Sequence, residues 1–254
     1  MIDKSITIVK DQIDRELLPY VRKPGRYIGG EMNQVRKDLN GCRVRLALCF
    51  PDIYEIGMSH TGLAILCEAV NRVEGWTAER VFAPWTDAEA VMREKGLPLF
   101  SMESCARVGD FDVAGFSLTN ELCYTNFLNM LDLAGLKVRA AERNEDDPII
   151  IVGGQAANCA EPLAEFADMF VLGEGEEALL SLLGLYDECR QAGGDKGAFL
   201  REAAQRFSFA YVPRFYTFAY QDGRQQPLAP VCDELPVRFE NAVVEDFENA
   251  VVPM

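Results

Sequence analysis

The sequence lacks the signatures of several common classes of protein. No apolar run approaches the length of a membrane span, and the first residues lack the basic-then-apolar order of a signal peptide. The eight cysteines form no CxxC pair, and the single histidine, His60, is not at zinc-ligand spacing from any of them. Basic residues are scarce, since 25 Lys and Arg face 40 Asp and Glu, for a formal charge of −15. These absences argue against a zinc site, a membrane protein and direct nucleic-acid binding, and they predict a cytoplasmic protein.

Strand-like and helix-like segments alternate along most of the 254 residues, of which 49% are hydrophobic. Strands are predicted at 44–50, 78–82, 112–118, 148–152 and 169–172, and helices at 63–73, 86–95, 121–134, 162–166, 173–190 and 198–207. Thr86 is expected to cap the second of these helices, and Gly135 to end the third. Nearly continuous apolar strands are typical of parallel strands covered by helices on both faces. The pattern therefore predicts an α/β fold with a doubly wound, Rossmann-like, mostly parallel sheet.

The composition changes at both ends of this alternating region. Residues 1–40 form an N-terminal arm with a short apolar stripe of helical spacing, and 41–208 form the α/β domain. The remaining segment, 209–254, contains an aromatic run at 215–220 and then a turn at Asp222-Gly223. This order predicts a hairpin followed by a linker.

Ligand sites in open parallel sheets lie beyond the carboxyl ends of the strands, so any binding residues are expected in the loops at those ends. The sequence has neither a GxGxxG after the first strand nor a Walker-type GK[ST]. The glycine-rich turn at 173–175 carries Glu174, Glu176 and Glu177, which would repel a phosphate at a helix N-terminus. NAD and ATP are therefore disfavoured. The acidic side chains are expected either to cap the helix or to contact a partner domain.

Several strand-end motifs, in this order, resemble those of one family. They are Phe-Pro-Asp-Ile-Tyr-Glu-Ile-Gly-Met-Ser at 50–59, Phe-Ala-Pro-Trp at 82–85, Gly-Phe-Ser-Leu at 115–118, Tyr-Thr-Asn at 124–126, Val-Gly-Gly at 152–154 and Gly-Glu-Gly-Glu-Glu at 173–177. The chain is similar to the N-terminal B12-binding region of uncharacterised radical SAM proteins. The stretch Arg-Tyr-Ile-Gly-Gly-Glu at 26–31 fits the same group, so the resemblance covers nearly the whole chain.

The resemblance implies a flavodoxin-like domain that holds cobalamin over its strand ends. The positions implied are Asp52, Tyr54, Glu55, Gly57, Met58, Ser59, Ser117, Leu118, Gly153, Gly154, Gly173, Glu174 and Gly175. Glycines let a large flat ring approach the backbone, and a hydroxyl such as that of Ser117 can hydrogen-bond the nucleotide tail. The alternative for Gly153-Gly154 is a simple strand-to-helix turn.

The sequence departs from the cobalamin mutases and methyltransferases at the position of the cobalt ligand. Those proteins use a DxHxxG loop, whereas here Met58 stands at the Asp position and Gly62 comes one residue too early after His60. The resemblance therefore implies base-off cobalamin without a histidine ligand. His60 itself is expected to lie at a helix N-terminus, near a cap at Ser59.

A second departure concerns the radical chemistry. That chemistry needs three thiolates, usually CxxxCxxC, around a [4Fe-4S] cluster that binds S-adenosylmethionine, and no cysteines here have this spacing. We therefore expect the chain to be the amino-terminal part of a longer enzyme or a truncated product, with no catalytic residue of its own. A radical SAM barrel, in cis or in trans, would act on an unknown small-molecule or macromolecular substrate. Two other hypotheses remain open, namely a non-catalytic interaction domain without cofactor and a domain that binds FMN.

Overall fold

Six strands form one sheet in the computed structural model of the chain, in the order β2-β1-β3-β4-β5-β6. The structure describes residues 5–217, 219–222, 224–225 and 229–252. The strands are β1 Val44–Phe50, β2 Trp76–Phe82, β3 Val113–Ser117, β4 Ile149–Gly153, β5 Met169–Val171 and β6 Ala210–Tyr211. All neighbouring pairs are parallel except β5 and β6, which are antiparallel.

Within the described ranges, five helices of ten residues or more follow or connect these strands. They are α3 Thr61–Asn71, α4 Thr86–Lys95, α5 Tyr124–Leu133, α6 Gly175–Gln191 and α7 Lys196–Arg206. Two shorter ones precede α3, namely α1 Lys10–Gln12 in the arm and α2 Tyr54–Gly57 after β1. Among the described residues, no helix is both long and apolar enough to cross a bilayer.

Successive residues of the central strands face opposite sides of the sheet, and both sides are covered. In β3, Phe116 packs edge-on against Phe127 of α5, with ring centroids 4.7 Å apart. Its neighbours Gly115 and Ser117 point to the side where α3 and α6 lie. Helices on both faces and the strand order 2-1-3-4-5 confirm the predicted doubly wound, flavodoxin-like fold.

The N-terminal arm packs on the core through a short helical segment. After α1 the chain forms a π-helical turn, Ile13–Leu17, in which both terminal side chains are fully buried. The backbone N–H of Val9 donates to the carbonyl of Cys105 at 2.9 Å. The arm is therefore joined to the domain by apolar burial and by backbone pairing.

Two predicted helix caps are wrong. Thr86 is the first residue of α4, and Trp85 occupies the cap position without a side-chain hydrogen bond. Ser59 does not cap α3, because its Oγ donates to the carbonyl of Ile56 at 2.9 Å. His60 is the cap instead, and its Nδ1 accepts a bond from the N–H of Leu63 at 3.1 Å.

The predicted end of α5 at Gly135 is confirmed, since this glycine has φ +72°.

Two short antiparallel strand pairs follow the main sheet within the described ranges. They are β7 Tyr216–Thr217 with β10 Ala229–Pro230, and β8 Tyr220–Gln221 with β9 Arg224–Gln225. Phe218 and Gly223, which the sequence assigns to this hairpin, lie outside the described residues.

Candidate functional site

A pocket of about 190 Å³ opens at the carboxyl edge of the sheet, between the sheet and helices α3 and α6. The residues around it come from all four parallel strands at the centre and from both helices. They are Leu48, His60, Gly62, Leu66, Gly115, Phe116, Ser117, Ile151, Gly153, Gly154, Val171, Gly173, Gly175, Glu176 and Leu179. The pocket therefore lies in the crevice where open α/β sheets bind their ligands.

Small residues on one face of the sheet create the space. Gly115 is aligned with Leu48 on one side and with Ile151 on the other, so a residue without a side chain separates two large ones. Two residues nearer the carboxyl edge, Ser117 is aligned with Gly153, so small side chains again leave space above the sheet. A Cβ at Gly153 would have only Val171 within 4.0 Å, so this position faces open space.

The walls of the pocket are apolar, and its helices lie close together. Leu66 of α3 and Leu179 of α6 both line the pocket. A Cβ at Gly175, the first residue of α6, would lie 3.3 Å from Leu66 Cδ2. Glycine at this position therefore lets α6 begin close against α3.

The glycine pair after β4 performs two different tasks. Gly154 has φ +89° and ψ 178°, a conformation that is essentially restricted to glycine. A Cβ there would lie 2.5 Å from the carbonyl oxygen of Leu118. The backbone N–H of Leu118 in turn donates to the carbonyl of Gly153 at 2.8 Å. Gly154 thus makes the turn around the buried Leu118, whereas Gly153 contributes space to the pocket.

This division predicts opposite tolerance at the two adjacent glycines. Gly154→Ala is expected to lower the free energy of unfolding by roughly 2 kcal/mol, because the alanine adopts a strained conformation and its Cβ collides with backbone. Gly153→Ala is the matched control and should change it by less than about 1 kcal/mol. Urea denaturation followed by circular dichroism measures both, and equal losses would contradict the assignment.

Three polar side chains line the otherwise apolar pocket. Within the described part of the chain, the Ser117 hydroxyl and the Glu176 carboxylate have no hydrogen-bond partner. His60 Nδ1 is occupied by the N–H of Leu63, so in the neutral ring the proton is on Nε2. The pocket thus has an acceptor, a donor and a hydroxyl that can serve as either.

The predicted residues of the first loop lie elsewhere, beside β2 and the arm. Gly57 is buried, and a Cβ there would lie 2.2 Å from Cε1 of Phe82, so this glycine is required by packing. The ring of Tyr54 packs edge-on against the same Phe82, with centroids 5.8 Å apart. Asp52 Oδ1 accepts from the N–H of Ile53 at 2.7 Å and stabilises the turn after β1.

The polar residues of this loop also have partners in the protein. Glu55 accepts bonds from Arg26 at 2.9 and 3.0 Å and from Lys23 at 3.1 Å, and these bonds lower its pKa to about 2. Met58 Sδ accepts from Nη1 of Arg80 at 3.2 Å. The loop is therefore held against the arm and β2, and among the residues predicted from resemblance only Ser117, Gly153, Gly154, Gly173 and Gly175 line the pocket.

The turn at Gly173 is crossed by a segment from the end of the chain, residues 240–246, which we call the C-terminal strap. A Cβ at Gly173 would lie 2.3 Å from the carbonyl oxygen of Ala242, so glycine is needed for this crossing. The N–H of Ala242 donates to Leu172, and the N–H of Glu174 donates to Ala242. Glu174 Oε2 accepts from the N–H of Val244 at 2.6 Å, so this predicted site residue binds the strap.

Sequence reasoning missed several residues that line the pocket, among them Gly115, Leu66 and Leu179. Gly115 belongs to a recognised motif, but only the strand register shows that it faces the pocket. Leu66 and Leu179 look like ordinary core positions of amphipathic helices. Glycine and serine at alternate positions 115, 117 and 153, on strands that end at one edge, are the signal that could have identified the site.

No group of three or more His, Cys, Asp and Glu side chains is placed to hold a metal ion within the described ranges. Most residues that line the pocket are glycine or aliphatic and few are polar, which is typical of sites for small organic ligands.

A family model described as radical SAM proteins, N-terminal, matches residues 62–213. The matched region begins at the start of α3, ends just after β6 and contains most of the pocket. The comparison with curated proteins and the comparison with solved structures each returned no match. Because the model covers more than half of the 254 residues, the chain belongs to the family of N-terminal regions of radical SAM proteins.

Proposed function

We propose that this domain binds cobalamin base-off and presents it to a radical SAM barrel, with the nucleotide tail in the pocket. The observation that carries the proposal is the pocket itself, an apolar slot with a glycine floor at the carboxyl edge of a flavodoxin-like sheet. Its volume of about 190 Å³ suits one heteroaromatic ring system, and the corrin would lie outside it.

The residues around the pocket fit such a group. Gly153 allows close approach to the backbone, and the Ser117 hydroxyl is available for a hydrogen bond to the tail. Leu122, in the short turn that follows β3, is 87% exposed and would offer an apolar surface to a flat ring. Cobalamin supplies a cobalt centre for methyl or radical transfer when bound.

His60 supports a base-off state without a histidine ligand. Its Nδ1 caps α3, which leaves a protonated Nε2 that cannot donate a lone pair to cobalt in the neutral ring. The sequence has no CxxxCxxC, so the [4Fe-4S] cluster and S-adenosylmethionine belong, in this proposal, to a barrel in cis or in trans.

Visible absorption after desalting tests the proposal. The wild-type chain, incubated with hydroxocobalamin, is expected to retain the cofactor and show a base-off spectrum. Gly153→Leu should weaken binding at least tenfold, because this position lines the pocket and a Cβ there meets no backbone within 4 Å. Gly184→Ala, on α6 outside the pocket, is the control and should bind as the wild type does.

Three results would count against the proposal. A colourless wild-type protein would favour a non-catalytic interaction domain. Undiminished binding by Gly153→Leu would show that the nucleotide tail lies elsewhere. His60→Asn, which keeps an oxygen acceptor for the α3 cap, should leave the spectrum unchanged, and a spectral shift would identify His60 as a cobalt ligand.

A further inference from the structure

The acidic residues at the start of α6 have different partners. Glu174 accepts from the N–H of Val244, and Glu177 Oε1 accepts from the N–H groups of Glu245 and Asp246 at 3.1 and 3.2 Å. Both of these carboxylates are therefore engaged by the C-terminal strap. Glu176 lies between them in sequence and lines the pocket instead.

Glu176 is the one acidic residue among those that line the pocket, where most of the others are glycine or aliphatic. Its partly buried side chain accepts no hydrogen bond from the described residues. A carboxylate that a ligand removes from water without giving it a donor costs free energy. A ligand that brings its own N–H to this position avoids the cost and gains a charge-assisted hydrogen bond.

We infer that Glu176 makes the pocket selective for a flat heteroaromatic base with an N–H donor, such as the exocyclic amine of adenine. The inference rests on the proposed function, because the base is the one at the end of the corrinoid nucleotide tail. Dimethylbenzimidazole, the base of cobalamin, has no exocyclic donor and leaves the carboxylate unpaired. His60 Nε2–H and the Ser117 hydroxyl can donate to ring nitrogens of either base, so they do not discriminate.

The preference is measured with three corrinoids that share the corrin ring. These are an adenine-containing cobamide, cobalamin itself, and cobinamide, which has no nucleotide. We expect the whole chain to bind the adenine form about tenfold or more tightly than cobalamin, as sites with a buried polar group reject analogues lacking its partner. Cobinamide should bind more weakly than both. Titration calorimetry gives the three dissociation constants.

Glu176→Ala should reduce the preference for adenine to within about twofold, since the carboxylate is the only discriminating group proposed. The matched control is Glu188→Ala, which removes the same charge from an exposed position, 69% accessible, on the same helix. This variant should keep the wild-type ratio.

The outcomes separate the inference from the function on which it rests. Equal affinity for the two nucleotide-bearing forms, or a preference that survives Glu176→Ala, overturns the inference and leaves cobalamin binding standing. Cobinamide binding as tightly as the others also overturns it, because the base then does not occupy the pocket. If none of the three corrinoids binds, the proposed function itself is wrong.

Discussion

Replacing Asp112 with asparagine is expected to lower the free energy of unfolding by roughly 3–5 kcal/mol. Asp112 and Arg45 are almost completely buried, with 3% and 2% of their surfaces exposed. Asp112 Oδ2 accepts from the N–H and Nε of Arg45, and Oδ1 accepts from Nη2, all at 2.9 Å. An asparagine would leave the guanidinium buried without its counter-charge, and its NH2 group would face a donor.

The same carboxylate connects three elements at the amino end of the sheet. Arg45 lies on β1 and Asp112 directly precedes β3, while Arg190 of α6 reaches Asp112 Oδ1 with Nη1 at 3.2 Å. The loss should therefore be cooperative and appear in the global unfolding transition. It would not be confined to one loop.

Urea denaturation gives the free energy of unfolding of Asp112→Asn and of the control Asp132→Asn. The comparison separates the effect of a buried ion pair from that of an exposed one. Asp132 pairs with Arg93 at 2.7 Å, but its side chain is 57% exposed, so the control should lose less than about 1 kcal/mol. If the two variants lose the same small amount, the buried pair does not stabilise the fold as argued.

The fold could be predicted from sequence because its central strands are short apolar runs with clear ends. The segment that forms β4, Ile149–Gly153, is β-branched up to its final glycine, and Gly135 ends α5 with a positive φ that other residues rarely adopt. The exact cap residue of a helix is predicted less well, because neighbouring residues can both serve as the cap. Thr86 and Ser59 are good caps in general, yet the cap of each helix lies one residue away, so that Trp85 and His60 have the extended backbone of the cap position.

The candidate site could be predicted only in part. Gly153 and Ser117 are implied by the family resemblance, on loops that the strand-end rule also points to, and both line the pocket. The loop residue Gly57 comes from family resemblance, and the structure gives it a packing contact with Phe82. Glu176 could not be distinguished from Glu177 by sequence, since the difference depends on where the C-terminal strap crosses the helix start.

Raising the pH from 5 to 8 is expected to remove about 2–3 kcal/mol of stability through Glu103. Burial raises the pKa of this carboxyl from 4.5 to about 7, against the attraction of Arg80. A folded-state pKa above the unfolded value means that Glu103 stabilises the fold fully below pH 4.5. This contribution is lost as the pH rises through about 7, because the folded protein must then hold a buried charge.

The neighbours of Glu103 explain why Arg80 does not keep the pKa low. Its carboxylate accepts from the N–H and Nε of Arg80, both at 2.7 Å. The same guanidinium also lies 3.9 Å from Glu31 and bonds Met58. Glu79, itself buried with its pKa raised by burial, adds a further carboxyl that repels a charge on Glu103. Arg80 is thus shared between Glu103 and Glu31, and of these three side chains Glu103 is the most deeply buried.

The pH dependence of the free energy of unfolding of Glu103→Gln tests the effect of Glu103 on stability. The amide loses an acceptor at every pH, so the variant is less stable throughout, but its deficit should shrink by about 2–3 kcal/mol between pH 5 and pH 8. Glu55→Gln is the control, because the pKa of Glu55 is lowered to about 2 in the folded protein. This carboxyl is therefore mostly ionised between pH 5 and pH 8 in both the folded and the unfolded chain. Parallel stability curves for Glu103→Gln and the wild type would mean that Arg80 keeps Glu103 ionised. The buried acids beside β2 would then be a fixed ion-pair network that does not respond to pH.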